Sequence, residues 1–288
     1  MVAACLAHRQ RKQCQHYTMK GMKKKRAGEG WGHRWDVTPA EAREIQEHLR
    51  GRWEGEDRLG QIGTVAGLDA AFVLNESQAL GKKVSRWGRL REANQAIGCV
   101  VAYRFHWDQS AQSGVPVPLE EIERASAVVP LEFPYIPGLL SFREIPALLA
   151  ALGKLRKMPD LLFCDGQGYA HPRRFGLATH LGVLLERPTI GCAKSVLIGG
   201  HEKLGPKAGS SAELVDPKNG ERIGAAVRTR DGVNPVYISQ GNRVSLETAI
   251  RLTLAVSDGF RIPRPTREAD RFASAIKRKL LAKALCEK

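Results

Sequence analysis

Three carboxylates stand on three separate apolar stretches of this 288-residue chain. Asp69 lies within Val-Ala-Gly-Leu-Asp-Ala-Ala-Phe (65–72), Glu144 closes Pro-Tyr-Ile-Pro-Gly-Leu-Leu-Ser-Phe-Arg-Glu (134–144), and Asp165 follows Asp-Leu-Leu-Phe-Cys (160–164). Apolar stretches of this kind belong in a core, and an ionised acid is costly to bury there unless something positive meets it. Several such acids brought together repel one another unless a cation lies between them. A Mg2+-type site suits this pattern, because hard divalent cations prefer carboxylate oxygens and keep waters free for hydrolysis.

The order of elements narrows the fold further. Thr38-Pro39-Ala40-Glu41 reads as a capping box, opening a helix that runs to about residue 52. Residues 63–74 and 97–106 are rich in strand formers, and 82–90 alternates weakly between them, so three consecutive antiparallel strands are expected. A strand over 127–133 and a helix over 142–155 come next, with Pro146 expected in the first turn of that helix. Residues 161–164 form a short, wholly apolar strand of the kind found at the centre of a sheet. A helix over 175–185, a strand over 189–193, a hairpin of 223–228 with 235–239, and helices over 245–257 and 266–286 complete the reading. Strands first, then alternating strands and helices, imply one α/β domain with a mixed sheet.

Residues 1–35 differ from the rest: they are basic, carry no acid before Glu29 and lack periodic apolar positions. They read as a disordered tail preceding a catalytic domain over 36–288. The whole chain carries 45 basic and 30 acidic residues, a net charge of +15, which favours an anionic partner such as nucleic acid. Six scattered cysteines form no Cys-x-x-Cys pair and no zinc spacing, which fits a reducing cytoplasm. No apolar run approaches the roughly twenty residues of a membrane span, and a monomer is expected.

Each candidate residue has a plainer alternative. Strand alternation puts Gly67, Asp69 and Ala71 on one face, with room for a metal and a phosphate; a strand-end Asp bonded to backbone amides is the alternative. Asp165, followed by Gly166-Gln167-Gly168, sits at the carboxyl end of a strand, where open α/β sheets collect ligands. A strand-to-helix turn needing Asp and Gly is the alternative there. Pro134-Tyr135-Ile136-Pro137-Gly138 is a stiff turn holding an aromatic that could replace a base drawn from a duplex, or simply pack on a loop. Lys194 could neutralise a phosphate, and His171, Arg173 and Arg174 could line its channel; ordinary basic loops are the alternative. Asp270 is a fourth acid or part of a charged helix face.

Taken together, the stretches Gly-Leu-Asp-Ala-Ala-Phe, Pro-Tyr-Ile-Pro-Gly-Leu-Leu-Ser-Phe-Arg-Glu, Asp-Gly-Gln-Gly-Tyr-Ala-His-Pro-Arg-Arg-Phe-Gly, Gly-Cys-Ala-Lys-Ser and Pro-Arg-Pro-Thr-Arg-Glu-Ala-Asp resemble the endonuclease V family, the deoxyinosine 3′ endonucleases, in order and over about residues 38–275. The resemblance implies an RNase H-like mixed sheet flanked by helices. It implies Mg2+-dependent cleavage, with Mn2+ as a substitute, at the second phosphodiester 3′ to deoxyinosine, leaving 3′-hydroxyl and 5′-phosphate ends. By the same resemblance Asp69 and Asp165 are metal ligands, Glu144 completes the acidic site, and Lys194 contacts the scissile phosphate. Tyr135 is the wedge, and Leu140, Gly166, Leu177 and Leu197 form the hypoxanthine pocket, largely through backbone groups. Some members carry histidine where this chain has Asp270, and an aspartate there suits a second metal. The rival readings are an inosine-specific ribonuclease, a structure-specific nuclease of the same fold, and a non-catalytic nucleic-acid-binding module whose acids are structural. Acids at a phosphate-facing site argue against the last.

Overall fold

The computed structural model describes residues 32–74, 93–107 and 116–286. One helix, α1 (Pro39–Arg50), precedes an antiparallel meander of β1 (Thr64–Leu74), β2 (Ala93–Arg104) and β3 (Glu120–Pro130). Then come α2 (Ser141–Leu152), β4 (Leu161–Cys164), α3 (Leu177–Leu185) and β5 (Thr189–Ala193). The chain ends with β6 (Ser211–Val215), β7 (Arg222–Val227), β8 (Val236–Asn242), α4 (Leu246–Ala255) and α5 (Arg264–Cys286). All eight strands share one sheet in the order β3-β2-β1-β4-β5-β8-β7-β6. β1, β4 and β5 run parallel at its centre and the remaining neighbours pair antiparallel. This is the mixed sheet flanked by helices that the sequence implies.

The sheet separates two apolar cores by simple strand alternation. Val65, Val101, Phe163, Ile190 and Ile238 pack with Leu252 of α4 and Ala269 of α5. Ala66, Leu68, Val100, Leu162 and Cys164 pack on the other face with Leu148 of α2 and Leu181 of α3. β4 is buried along its whole length, which is why it reads as a continuous apolar run.

Two glycines let helices come unusually close to the strands. A Cβ at Gly98 in β2 would lie 2.1 Å from the Ala147 carbonyl oxygen of α2, and one at Gly67 in β1 would lie 1.9 Å from that of Pro265 in α5. The two helices are thereby pressed onto opposite faces of the same pair of strands. Their own acids, Glu144 three residues before Ala147 and Asp270 five after Pro265, are delivered to the centre of the sheet.

The capping box forms: the Glu41 N–H donates to Thr38 Oγ1 at 3.3 Å, and Glu41 Oε2 accepts the Thr38 N–H at 2.7 Å. Other expectations need correction. β3 begins at Glu120, seven residues before the expected strand, because an edge strand with exposed positions needs no apolar pattern. β6, also at an edge and with a single buried residue, was not expected at all. Pro146 lies inside α2, beyond its first turn, where it cannot donate to the Phe142 carbonyl. The expected middle strand over 82–90 and most of the basic tail fall outside the described residues; β1 pairs directly with β2. Packing reaches back at least to His33, whose Nε2 lies 2.8 Å from His180 Nε2, and Trp35 stacks on the His180 ring at 5.6 Å.

Candidate active site

β1 and β4 run parallel with Leu68 opposite Cys164, and the Asp165 N–H donates to the Leu68 carbonyl at 3.0 Å. Asp69 and Asp165 are therefore next-door neighbours. β4 stops at Cys164 while β1 continues to Leu74, so β1 loses its parallel partner just where Asp69 sits. Ligands collect at such carboxyl ends of parallel strands. Glu144 comes from the first turn of α2, and Asp270 from α5.

Lys194 follows β5 and joins the group. Its Nζ lies 2.5 Å from Asp165 Oδ2 and 2.9 Å from Asp270 Oδ2. The sequence left Asp270 between a fourth acid and a solvated helix face; the structure ion-pairs it with Lys194 at the site. The side chain of Asp165 is 12% exposed, against 40% for Lys194 and 45% for Asp270, so the cluster grades from interior to solvent.

The electrostatics follow from that grading. Burial, then the charges of Asp165 and Asp270, push the Asp69 carboxyl well above the usual carboxylate range, and Lys194 offsets part of this. Burial, then Asp69 and Asp165, does the same to Glu144. Asp165 is raised by burial in spite of its lysine. Burial works against the Lys194 charge, yet Asp165 and Asp270 hold it above the ordinary lysine value. The site is short of positive charge in its interior.

Among the described residues no three acid, histidine or cysteine side chains already stand as a metal cage. The donor set nonetheless fits a hard divalent cation: it is made of carboxylates, it is open to solvent on one side, and a cation would relieve the repulsion that raises Asp69 and Glu144. Asp69, Asp165 and Glu144 could hold it, with the more exposed Asp270 at the outer rim.

The stiff turn lies beside the acids. Arg143, 2% exposed, places its guanidinium 5.0 Å from the Phe72 ring of β1 and 5.9 Å from the Tyr135 ring, and its Nη1 donates to the Phe133 carbonyl at 2.6 Å. Tyr135 is half-buried, Ile136 packs with Phe133, Leu139 and Phe142, and Pro134 and Pro137 face solvent. Nothing in the sequence marked Arg143 as the residue joining turn and strand.

Of the expected pocket residues, Leu177 is buried against Gly166, where an added Cβ would meet its Cδ2 at 3.3 Å. Leu140 caps the start of α2, and Leu197 is 41% exposed on the loop after Lys194. Gln167 Nε2 ties that loop to the Asp165 turn through the Ser195 carbonyl, 3.1 Å away.

His171, Arg173 and Arg174 are placed differently from the expected phosphate channel. The His171 ring is 3% exposed, and burial, then Arg173, pushes its pKa down to about 4, so at neutral pH it offers no charge to a phosphate. Its Nε2 and Arg173 Nη2 both bond the Gly138 carbonyl, at 3.0 and 2.6 Å. Arg174 is buried in ion pairs with Asp216 and Glu221, each at 2.7 Å. His171 and Arg174 are buried and Arg173 is half-buried, and the donors of all three are engaged by partners within the molecule.

Comparison with known proteins agrees with the geometry. The endonuclease V family model matches residues 47–271. Endonuclease V of Roseiflexus sp. is 45% identical over 240 residues, covering 83% of this chain and 94% of that protein; the Nostoc sp. enzyme is 46% identical over 244 residues, covering 84% and 96%. Among solved structures, endonuclease V from Streptomyces avermitilis is 38% identical with a TM-score of 0.68, covering 87% of this chain and 96% of that one. The catalytic domain of human endonuclease V is 32% identical with a TM-score of 0.68, covering 84% and 97%. A chain with this sheet, these acids and this breadth of similarity belongs to the endonuclease V family, hydrolases that cut DNA and depend on a metal ion.

Proposed function

We propose that this chain cuts DNA strands containing deoxyinosine, at the second phosphodiester on the 3′ side, and leaves 3′-hydroxyl and 5′-phosphate ends. The observation that carries this reading is the convergence of Asp69, Asp165, Asp270 and Lys194 at the end of β4, beside a turn that presents Tyr135. A Mg2+ ion, or Mn2+ in its place, held by Asp69, Asp165 and Glu144 would activate water and offset charge building on the phosphate.

The chain's own residues supply the rest. Lys194, half-exposed and kept protonated by its two aspartates, presents an ammonium to the scissile phosphate. Tyr135 fills the gap left by the extruded base, and backbone groups about Leu140, Gly166, Leu177 and Leu197 read the hypoxanthine edge. Extrusion costs a few kcal/mol, less for a poorly paired base, which contributes selectivity. The enzyme acts as a monomer in a reducing cytoplasm, in keeping with Cys99, Cys164 and Cys192, which are free and buried.

Incubation with end-labelled oligonucleotides bearing one deoxyinosine, with and without Mg2+, tests this. A single Mg2+-dependent cut one nucleotide beyond the lesion is expected; metal-independent or lesion-independent scission would refute it. A second reading, inosine in RNA, is favoured by one relative: endonuclease V of Ciona intestinalis, 25% identical with a TM-score of 0.64, was crystallised with DNA containing an inosine followed by a ribo-adenosine. Matched RNA and DNA strands cut side by side decide between the two.

A further inference from the structure

The stiff turn is fastened at its last residue. Three side-chain donors converge on the Gly138 carbonyl oxygen: His171 Nε2 at 3.0 Å, Arg173 Nη2 at 2.6 Å and Gln46 Nε2 at 3.2 Å. Gln46 comes from α1, is 1% exposed, and ties the group together. Its Nε2 also donates to the Phe175 carbonyl at 3.2 Å, and its Oε1 accepts from Arg173 Nε at 2.6 Å. His171 Nδ1 accepts the Arg173 backbone N–H at 3.2 Å, which puts the ring proton on Nε2, facing Gly138.

A buried amide is tolerated only when both its ends are matched. Here every partner of Gln46 belongs to the Tyr135 turn or to the loop that runs on from Asp165 to Phe175. One α1 side chain thus links the aromatic turn to the loop that starts at the acid cluster. Gln46 stands one residue before the stretch that the family model matches.

We infer that Gln46 is a positioning residue for Tyr135 and the backbone beside it, holding the turn at a fixed distance from Asp165. The inference rests on the deoxyinosine reading and deepens it, by assigning substrate discrimination to a residue outside the acid cluster. A wedge and a backbone pocket recognise an extruded base only while they are held in register with the cutting site. Loosening the clamp weakens recognition and spares the chemistry.

The test is Gln46→Met, which keeps the chain length and removes all three bonds. KM for a deoxyinosine oligonucleotide should rise about five- to tenfold, the scale of one or two lost hydrogen bonds, with the saturating single-turnover rate changed less than about twofold. Amide exchange at Tyr135, Ile136, Gly138 and Leu139 of the protein without DNA should quicken, with α2 unchanged. Thr38→Ala, which removes the α1 cap and leaves the clamp alone, should lower the melting temperature without moving KM. An unchanged KM in folded Gln46→Met, an equal KM rise in Thr38→Ala, or unaltered exchange in the turn would overturn the inference. Should Gln46→Met not fold, Gln46→Glu carries the same measurements, since it keeps an acceptor for Arg173 and drops the two donated bonds. Wild-type protein that leaves deoxyinosine strands whole would count against the proposed function instead, and the exchange measurement would still decide on the clamp.

Discussion

At the scale of single residues, the site is a problem of charge. Lys194 answers part of it, paired at 2.5 and 2.9 Å with Asp165 and Asp270, while Asp69 and Glu144 lie deeper and are raised by burial and by one another. Asp69→Asn removes a proposed ligand and keeps the shape, so it should bind deoxyinosine DNA normally and lose at least about a hundredfold in single-turnover rate. Normal cleavage by that variant in Mg2+ would show that Asp69 is not a ligand. His171 makes a separate prediction about stability. Burial, then Arg173, lowers its folded pKa to about 4 from an ordinary 6.5. A neutral buried ring stabilises the fold fully above the unfolded value, and this contribution is lost as the pH falls through the folded one. The melting temperature should therefore decline between about pH 6.5 and pH 4, less steeply in His171→Gln. His180, held neutral chiefly by burial, acts in the same direction. A His171→Gln profile parallel to wild type would remove His171 as a cause.

At the scale of elements, the site depends on how near two helices come to β1 and β2. Gly98→Ala would place a methyl 2.1 Å from the Ala147 carbonyl oxygen and lift α2, with Glu144, off the sheet. A loss of about 1–3 kcal/mol or more in urea unfolding is expected, together with loss of cleavage. Undiminished activity in a folded Gly98→Ala protein would mean that the position of α2 does not matter. The same scale explains what could be read from sequence. β4, buried on both sides, announces itself by an unbroken apolar run, and α1 by its capping box. β3 and β6 lie at sheet edges with exposed residues, so neither period nor composition marks β6 or the first half of β3. Asp69, Glu144 and Asp165 were legible because carboxylates are rare in apolar stretches. Gln46 and Arg143 were not, since their meaning lies in partners 92 and 10 residues away in the chain.

At the scale of the whole molecule, one sheet gathers residues 69, 144, 165, 194 and 270 into a single place, with α2 and α5 on its two faces. The net charge of +15 favours a polyanionic partner, and binding should weaken steadily as salt is raised. No helix among the described residues is long and apolar enough to cross a membrane. A cation bound only by the folded chain raises its stability, by about 2.7 kcal/mol at a hundred times Kd. The central claim is that Asp69, Glu144 and Asp165 share that cation. Calorimetric titration of Mn2+ into the wild-type protein and into Asp69→Asn, Glu144→Gln and Asp165→Asn tests it most directly. Binding to the wild type that each substitution weakens by about tenfold or more is the predicted result; three variants that bind Mn2+ as the wild type does would contradict it.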